Sequence, residues 1–197
     1  MSEQKLDGGA VFPESPVDTV VFLDFDDVLN NNRTFGTCPR VVLAQNDRGD
    51  KIEICGLDPV NGALLARLMD RYSEARIVFS TSWRVNFKMD ELIGFVSPFG
   101  IAKERFVGRT RYRGGDEPRG HEIAAWLQEY IHRHDNVPKA LILDDLWASE
   151  FQPVGRHLVQ TNGRVGLDEE SFGRACRLLD DEDVSRVDTR FLAMRGK

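Results

Sequence analysis

Cysteine is scarce in this chain: three in 197 residues, with no Cys-x-x-Cys pair. Cys38, Cys55 and Cys176 are odd in number and far apart, which speaks against a disulfide framework and against a thiolate zinc site, and leaves reduced thiols as the expectation. Long apolar runs are missing too. None approaches the roughly 20 residues that span a bilayer, so no membrane partner is expected. Residues 1–18 lack an apolar signal core and are rich in Gly, Pro, Ser and acid, which reads as a flexible leader on a cytoplasmic protein. There is no basic excess either. The net charge of -6 argues against indiscriminate nucleic-acid binding. The four histidines, His121, His132, His134 and His157, form no ligand cluster. Without internal repeats, a chain of this length suits one domain with a substantial core.

What is present is a set of short apolar runs, each ending in chemically capable residues. Val20 to Leu23 reads as a strand buried on both faces, as in a parallel sheet covered by helices. It runs into Asp24-Phe25-Asp26-Asp27. Asp24 and Asp26, two apart at an extended strand end, fall on one side and are suited to a hard cation such as Mg2+. Arg76 to Phe79 ends in Ser80-Thr81-Ser82-Trp83-Arg84. Ala140 to Leu143 ends in Asp144-Asp145, and His157 to Gln160 reads as a fourth strand. In an open α/β sheet the ligand crevice lies at the carboxyl ends of the strands, where these clusters meet.

Helical spacing fills the intervals. Asp58-Pro59 reads as an N-cap followed by proline at the first helical position, opening a helix from Pro59 to about Arg71. Asp90 to Phe95 suggests a short helix. Ile123, Ala124, Leu127 and Ile131 share one face of a helix from His121 to about Arg133, and Glu169 to Leu179 forms another. Two β-like runs, Arg40 to Gln45 and Lys51 to Cys55, flank a polar loop and predict a hairpin flap within about residues 31–56. Residues 97–120, broken by two prolines and five glycines, read as a long irregular loop or as one hiding a short strand. Residues 183–197 read as a tail beyond a domain at 19–182. Trp83, Trp126 and Trp147 each flank an element and are expected in the core, with base stacking as the alternative.

The strand followed by Asp24-Phe25-Asp26-Asp27-Val28-Leu29 resembles the first motif of the haloacid dehalogenase-like (HAD) superfamily of phosphotransferases. Ser80-Thr81, Arg119 and Asp144-Asp145 follow in the order of its later motifs. Thr81-Ser82-Trp83-Arg84, Arg119-Gly120-His121-Glu122-Ile123 and the ending His157 to Thr161 then Val165-Gly166-Leu167 are similar to a small branch, the HAD domain of Swiss-army-knife RNA repair proteins. The resemblance covers about Thr19 to Leu179. It implies a doubly wound parallel sheet of HAD type with helices on both faces, only a small flap as cap, and a Mg2+-dependent phosphohydrolase acting through an aspartyl-phosphate.

By the same resemblance Asp24 is the nucleophile and Asp26 the acid and base, its backbone carbonyl facing the metal. Asp24, Asp26, Asp145 and Asp144 form the metal set, with Asp145 favoured of the last two. For the hydroxyl that holds the phosphoryl oxygens, alignment on Trp83 favours Thr81, while counting from the end of the apolar run favours Ser80. Arg119 is the expected cationic partner and Lys103 its rival. The expected partner is a phosphorylated substrate, with nucleic acid as one class. Lys103 to Arg119 carries six cationic side chains against three acidic ones, so Arg105, Arg109, Arg111 and Arg113 either contact phosphates or form a solvated loop. Two other classes stay open: a silent binding module on the same fold, and a metal-dependent nuclease.

Overall fold

The computed structural model describes residues 9–37, 41–45, 51–54, 56–114 and 117–190. Its centre is strand β1 (Thr19–Leu23), in which Val20, Val21, Phe22 and Leu23 have no solvent exposure. Such a strand needs neighbours on both edges and cover on both faces, because its amides and side chains are alike removed from water. It pairs in parallel with β4 (Ala75–Phe79) on one edge and β6 (Lys139–Asp144) on the other. β5 (Phe106–Arg109) and β7 (Leu158–Gln160) complete an all-parallel sheet of order β5-β4-β1-β6-β7. The chain builds outward from β1 through β4 to β5, then returns to lay β6 on the other side of β1. The switch of direction falls between β1 and β6, the place where such sheets open a ligand crevice.

Alternation along the strands assigns the two faces. Val21, Leu23, Ile77, Phe79, Leu141 and Leu143 point towards α2 (Pro59–Arg71), α3 (Met89–Val96) and α5 (Glu169–Asp180). Val20, Phe22, Val78, Ala140 and Ile142 point towards α4 (Arg119–His134) and residues Phe151 and Val154. The doubly wound α/β architecture implied by the sequence is therefore the fold. The Asp58 side chain caps α2 by accepting from the Val60 amide at 2.8 Å, with Pro59 as the first helical residue.

Between β1 and α2 lie a short helix, α1 (Asn32–Thr37), and an antiparallel hairpin, β2 (Val41–Gln45) with β3 (Lys51–Ile54). Periodicity gives no sign of α1. The polar loop at 46–50, with Cys38 and Cys55, lies outside the described residues.

Two expectations about the ends of the domain need correcting. Residues 9–18, read as part of a flexible leader, pack on α4: Val11 bridges Arg109 at the edge of β5 and its carbonyl accepts from the Trp126 indole at 2.9 Å, while Phe12 stacks on Trp126 with centroids 5.2 Å apart. At the other end the expected tail starts inside a helix, α6 (Glu182–Ser185), and Val187 is buried with its amide on the Pro138 carbonyl. The irregular stretch 97–120 contains β5. Its four residues are too few to show a period, and Gly108 is needed there because a Cβ would lie 2.3 Å from the Val11 carbonyl oxygen.

Candidate active site

The crevice is floored by the turn after β1. Asp24 continues the sheet pairing through its amide, which donates to the Leu143 carbonyl at 3.0 Å, and its Oδ1 accepts from the Phe25 amide at 2.7 Å. Beyond it the chain turns sharply, with Asp27 in the left-handed region at φ 54°, where a side chain is uncommon. The turn is stitched down on both sides. Asn30 Oδ1 accepts from the Asp27 amide at 2.8 Å, and Thr161 Oγ1 donates to the Asp27 carbonyl at 2.9 Å. The buried Asn31 amide donates to Asp58 at 2.8 Å and to Asn61 at 2.7 Å, and Asn61 in turn donates to the Val165 and Leu167 carbonyls. Full pairing of these buried amides fixes where Asp24 stands.

From the other side of the switch point come Asp144, the last residue of β6, and Asp145. Oxygens of Asp24, Asp144 and Asp145 lie within 4.8 Å of one another. Burial is the main reason that all three carboxyls are held above the usual range, with repulsion from Asp26 adding to it at Asp24 and repulsion from Asp24 at the other two: Asp24 and Asp144 are raised, and Asp145 reaches about 6. Three hard oxygen donors that repel one another fit a divalent cation such as Mg2+. The Asp26 side chain does not join this group. Its carboxylate is held by the Trp83 indole at 2.9 Å, Asn30 Nδ2 at 3.0 Å and Ser82 Oγ at 3.3 Å. Two apart in sequence, Asp24 and Asp26 part company because the turn sends Asp26 towards the β4 loop.

The cation that faces these carboxyls is Arg119, the first residue of α4. Its Nη1 lies 3.3 Å from Asp144 Oδ2 and 3.6 Å from Asp24 Oδ2. Burial opposes its charge, but Asp24, Asp144 and Glu122 outweigh that and hold its pKa above the ordinary value. Lys103, the rival, is far more exposed and pairs with Asp90 at 3.1 Å. Gly120 lets α4 start this close to the acidic residues, since a Cβ would lie 2.4 Å from the Phe151 backbone. The hydroxyl question divides by geometry. Thr81 is fully buried, its Oγ1 accepts from the Trp83 amide at 3.3 Å, and its side chain favours the charged form of Asp24, whereas Ser80 Oγ has no partner among the described residues.

The arginine run separates into two kinds. Arg105 stands before β5, at the end of the sheet opposite the crevice, and donates to the Ala75, Met69 and Tyr72 carbonyls. The Arg109 guanidinium donates to the Gly9 and Phe87 carbonyls. Only Arg111 and Arg113 remain exposed, on either side of Tyr112, and with Phe12, Ala125, Glu129 and Arg133 they line a groove of about 320 Å3. The tryptophans divide as well. Trp83 and Trp126 are buried, but Trp147, on the loop after Asp145, is 77% exposed. Two contributors lie in stretches that carry the family resemblance but had no role assigned from the sequence: the Trp83 indole on Asp26, and Glu122, one turn into α4, on which Arg84 and Arg119 converge.

Searches of curated proteins and of solved structures returned no match to the chain. Among the described residues no helix is long and apolar enough to cross a membrane. Residues 20–172, which span every element of the crevice from β1 to the start of α5, match the family described as the HAD domain in Swiss Army Knife RNA repair proteins, and the chain belongs to that family.

Proposed function

We propose that this chain is a Mg2+-dependent phosphohydrolase that transfers the phosphoryl group of a phosphomonoester to Asp24 and then to water. One observation carries the reading: a buried carboxylate, Asp24, stands between the Arg119 guanidinium and the Thr81 hydroxyl with two further carboxylates beside it. A structural acid would be satisfied by one such partner. An acid surrounded by both cationic and anionic groups is suited to a ligand that is itself anionic and arrives with a cation.

Asp24, Asp144 and Asp145 would hold the ion. Bound there, Mg2+ would relieve the repulsion among the three carboxylates and draw charge from the phosphoryl oxygens. Asp24 Oδ1 is occupied by the Phe25 amide, which leaves Oδ2 to attack phosphorus. As the Oδ2–P bond forms, the ester P–O bond breaks and the leaving oxygen takes a proton from Asp26. Water then attacks phosphorus, the P–Oδ2 bond breaks, and the proton of the water goes to Asp26. Arg119 and Thr81 would hold the equatorial oxygens, whose developing charge fixed donors stabilise. For the proton steps Asp26 must leave its indole and amide donors, a rotation of one side chain.

For the substrate, phosphorylated nucleic-acid ends fit best. The family description speaks of RNA repair, and the loops after β5 and β6 carry the exposed aromatics Tyr112 and Trp147 with Arg111 and Arg113 alongside. Aromatic faces stack bases and arginines take flanking phosphates. Phosphate release from 3'- and 5'-phosphorylated oligonucleotides, measured beside an aryl phosphate with Mg2+ and with chelator, tests both halves. Release from neither type of substrate in Mg2+ overturns the phosphohydrolase, and release from the aryl phosphate alone overturns only the nucleic-acid substrate.

A further inference from the structure

Beneath the crevice lies an ion pair that the chemistry above does not use. Arg84 and Glu122, with side chains 1% and 3% exposed, form a salt bridge between Arg84 Nη2 and Glu122 Oε2. Both side chains are all but removed from solvent, and each has a second attachment. Arg84 Nη1 donates to the carbonyl of Thr81, and Glu122 Oε1 accepts from the Arg113 amide at 2.8 Å. Glu122 Oε2 also lies 3.9 Å from Arg119 Nε, the far side of the guanidinium whose Nη1 faces Asp24 and Asp144.

A buried pair of this kind contributes little net stability, because desolvating two charges offsets their attraction, and well-packed apolar replacements are often as stable. Stability is therefore a poor explanation for it, whereas its connections are specific. One end holds the backbone of Thr81. The other meets Arg119 on the edge opposite its active-site carboxylates. Asp24 and Asp144 alone would leave the guanidinium free to pivot about Nη1, and a third carboxylate at Nε removes that freedom. Arg84 keeps Glu122 from swinging fully onto Arg119, since the same oxygen serves both arginines.

We infer that Arg84 and Glu122 are positioning residues, which together fix the Arg119 guanidinium and the Thr81 turn in the geometry that receives a phosphoryl group. The inference rests on the proposed phosphoryl site but not on turnover, so its test includes a binding readout. The double variant R84M/E122L replaces both charges by apolar groups of similar length and leaves no lone buried charge. Thermal unfolding, the dissociation constant of inorganic phosphate in Mg2+ by calorimetry, and kcat/KM for an aryl phosphate are measured for wild type and variant.

The expected result is a melting temperature close to wild type, a phosphate dissociation constant raised at least tenfold, and a kcat/KM lowered by more than that. A folded variant with unchanged phosphate affinity and unchanged kcat/KM overturns the positioning role and makes the pair a packing feature. If the double variant does not fold, E122Q, which keeps the shape and removes only the charge, is read by the same two outcomes. Wild-type protein that binds phosphate without hydrolysing the ester would count against the proposed reaction, and the binding arm would still decide the inference.

Discussion

Arg119 Nη1 lies 3.6 Å from Asp24 Oδ2, although Asp24 follows the end of β1 and Arg119 opens α4, far apart in the chain. Their approach depends on Gly120, whose missing side chain leaves room for the Phe151 backbone. Gly120→Ala is expected to push the first turn of α4 away from the acidic residues. Overpacking of this kind costs about 1–3 kcal/mol, and the shift should lower kcat/KM at least tenfold. Denaturant unfolding and initial rates check the two effects, and a stable variant with full activity would show that α4 can move without consequence.

Thr81 and Ser80 separate by substitution. Thr81→Val keeps the shape and removes the hydroxyl that favours the charged Asp24 carboxylate, so phosphate affinity and kcat/KM should fall by about tenfold or more, as for loss of one fixed donor to a charged group. Ser80→Ala removes a buried hydroxyl that has no partner among the described residues and should leave both within about twofold. The reverse ranking would move the phosphate ligand to Ser80.

How much of this was legible in the sequence follows from how local each signal is. The strand-end acids were legible, because an apolar run ending in carboxylates is a contiguous pattern, and four strands of the parallel sheet and its two-sided cover followed from βαβ alternation, whereas their order in the sheet did not. β5 was hidden by its four residues, and the packing of Val11 and Phe12 on Trp126 was hidden because the contact joins distant parts of the chain. Asp26 shows the limit of spacing rules. The period of two holds for an extended strand, but β1 ends at Leu23 and the turn begins within the motif. Glu122 and Arg84 both stand in stretches that carry the resemblance, but their pairing joins distant parts of the chain and only the fold shows it.

The arginine run makes a sharper prediction now than its composition allowed. Arg111→Ala with Arg113→Ala should raise KM for a phosphorylated oligonucleotide several-fold, with a smaller salt dependence, and leave KM for an aryl phosphate unchanged, because only the long substrate reaches past the crevice. Equal effects on both substrates would remove the nucleic-acid assignment.

His157 supplies a pH dependence away from the site. It is 1% exposed, and burial, aided by Arg156, holds its pKa down at about 4. The folded protein therefore refuses a proton that the unfolded chain accepts near pH 6.5. The contribution of this group to stability should be fully present above pH 6.5 and be lost as pH drops towards 4, on the order of 3 kcal/mol in all. Chemical denaturation from pH 7.5 to 4.5 measures the fall, and His157→Gln should flatten it. The buried carboxyls of the crevice, held above their usual range, gain stability over the same interval, so the difference between wild type and His157→Gln is the quantity read, and identical profiles would contradict the buried neutral imidazole.

The most direct test of the central claim is acid quenching of the protein during turnover of a phosphomonoester in Mg2+, followed by mass analysis of its peptides. The account predicts that the peptide containing Asp24 carries one phosphoryl group, that hydroxylamine removes it, and that Asp24→Asn abolishes both the adduct and turnover while leaving the fold intact. Steady hydrolysis by the Asp24→Asn variant, or a phosphoryl group trapped on a residue other than Asp24, would contradict it.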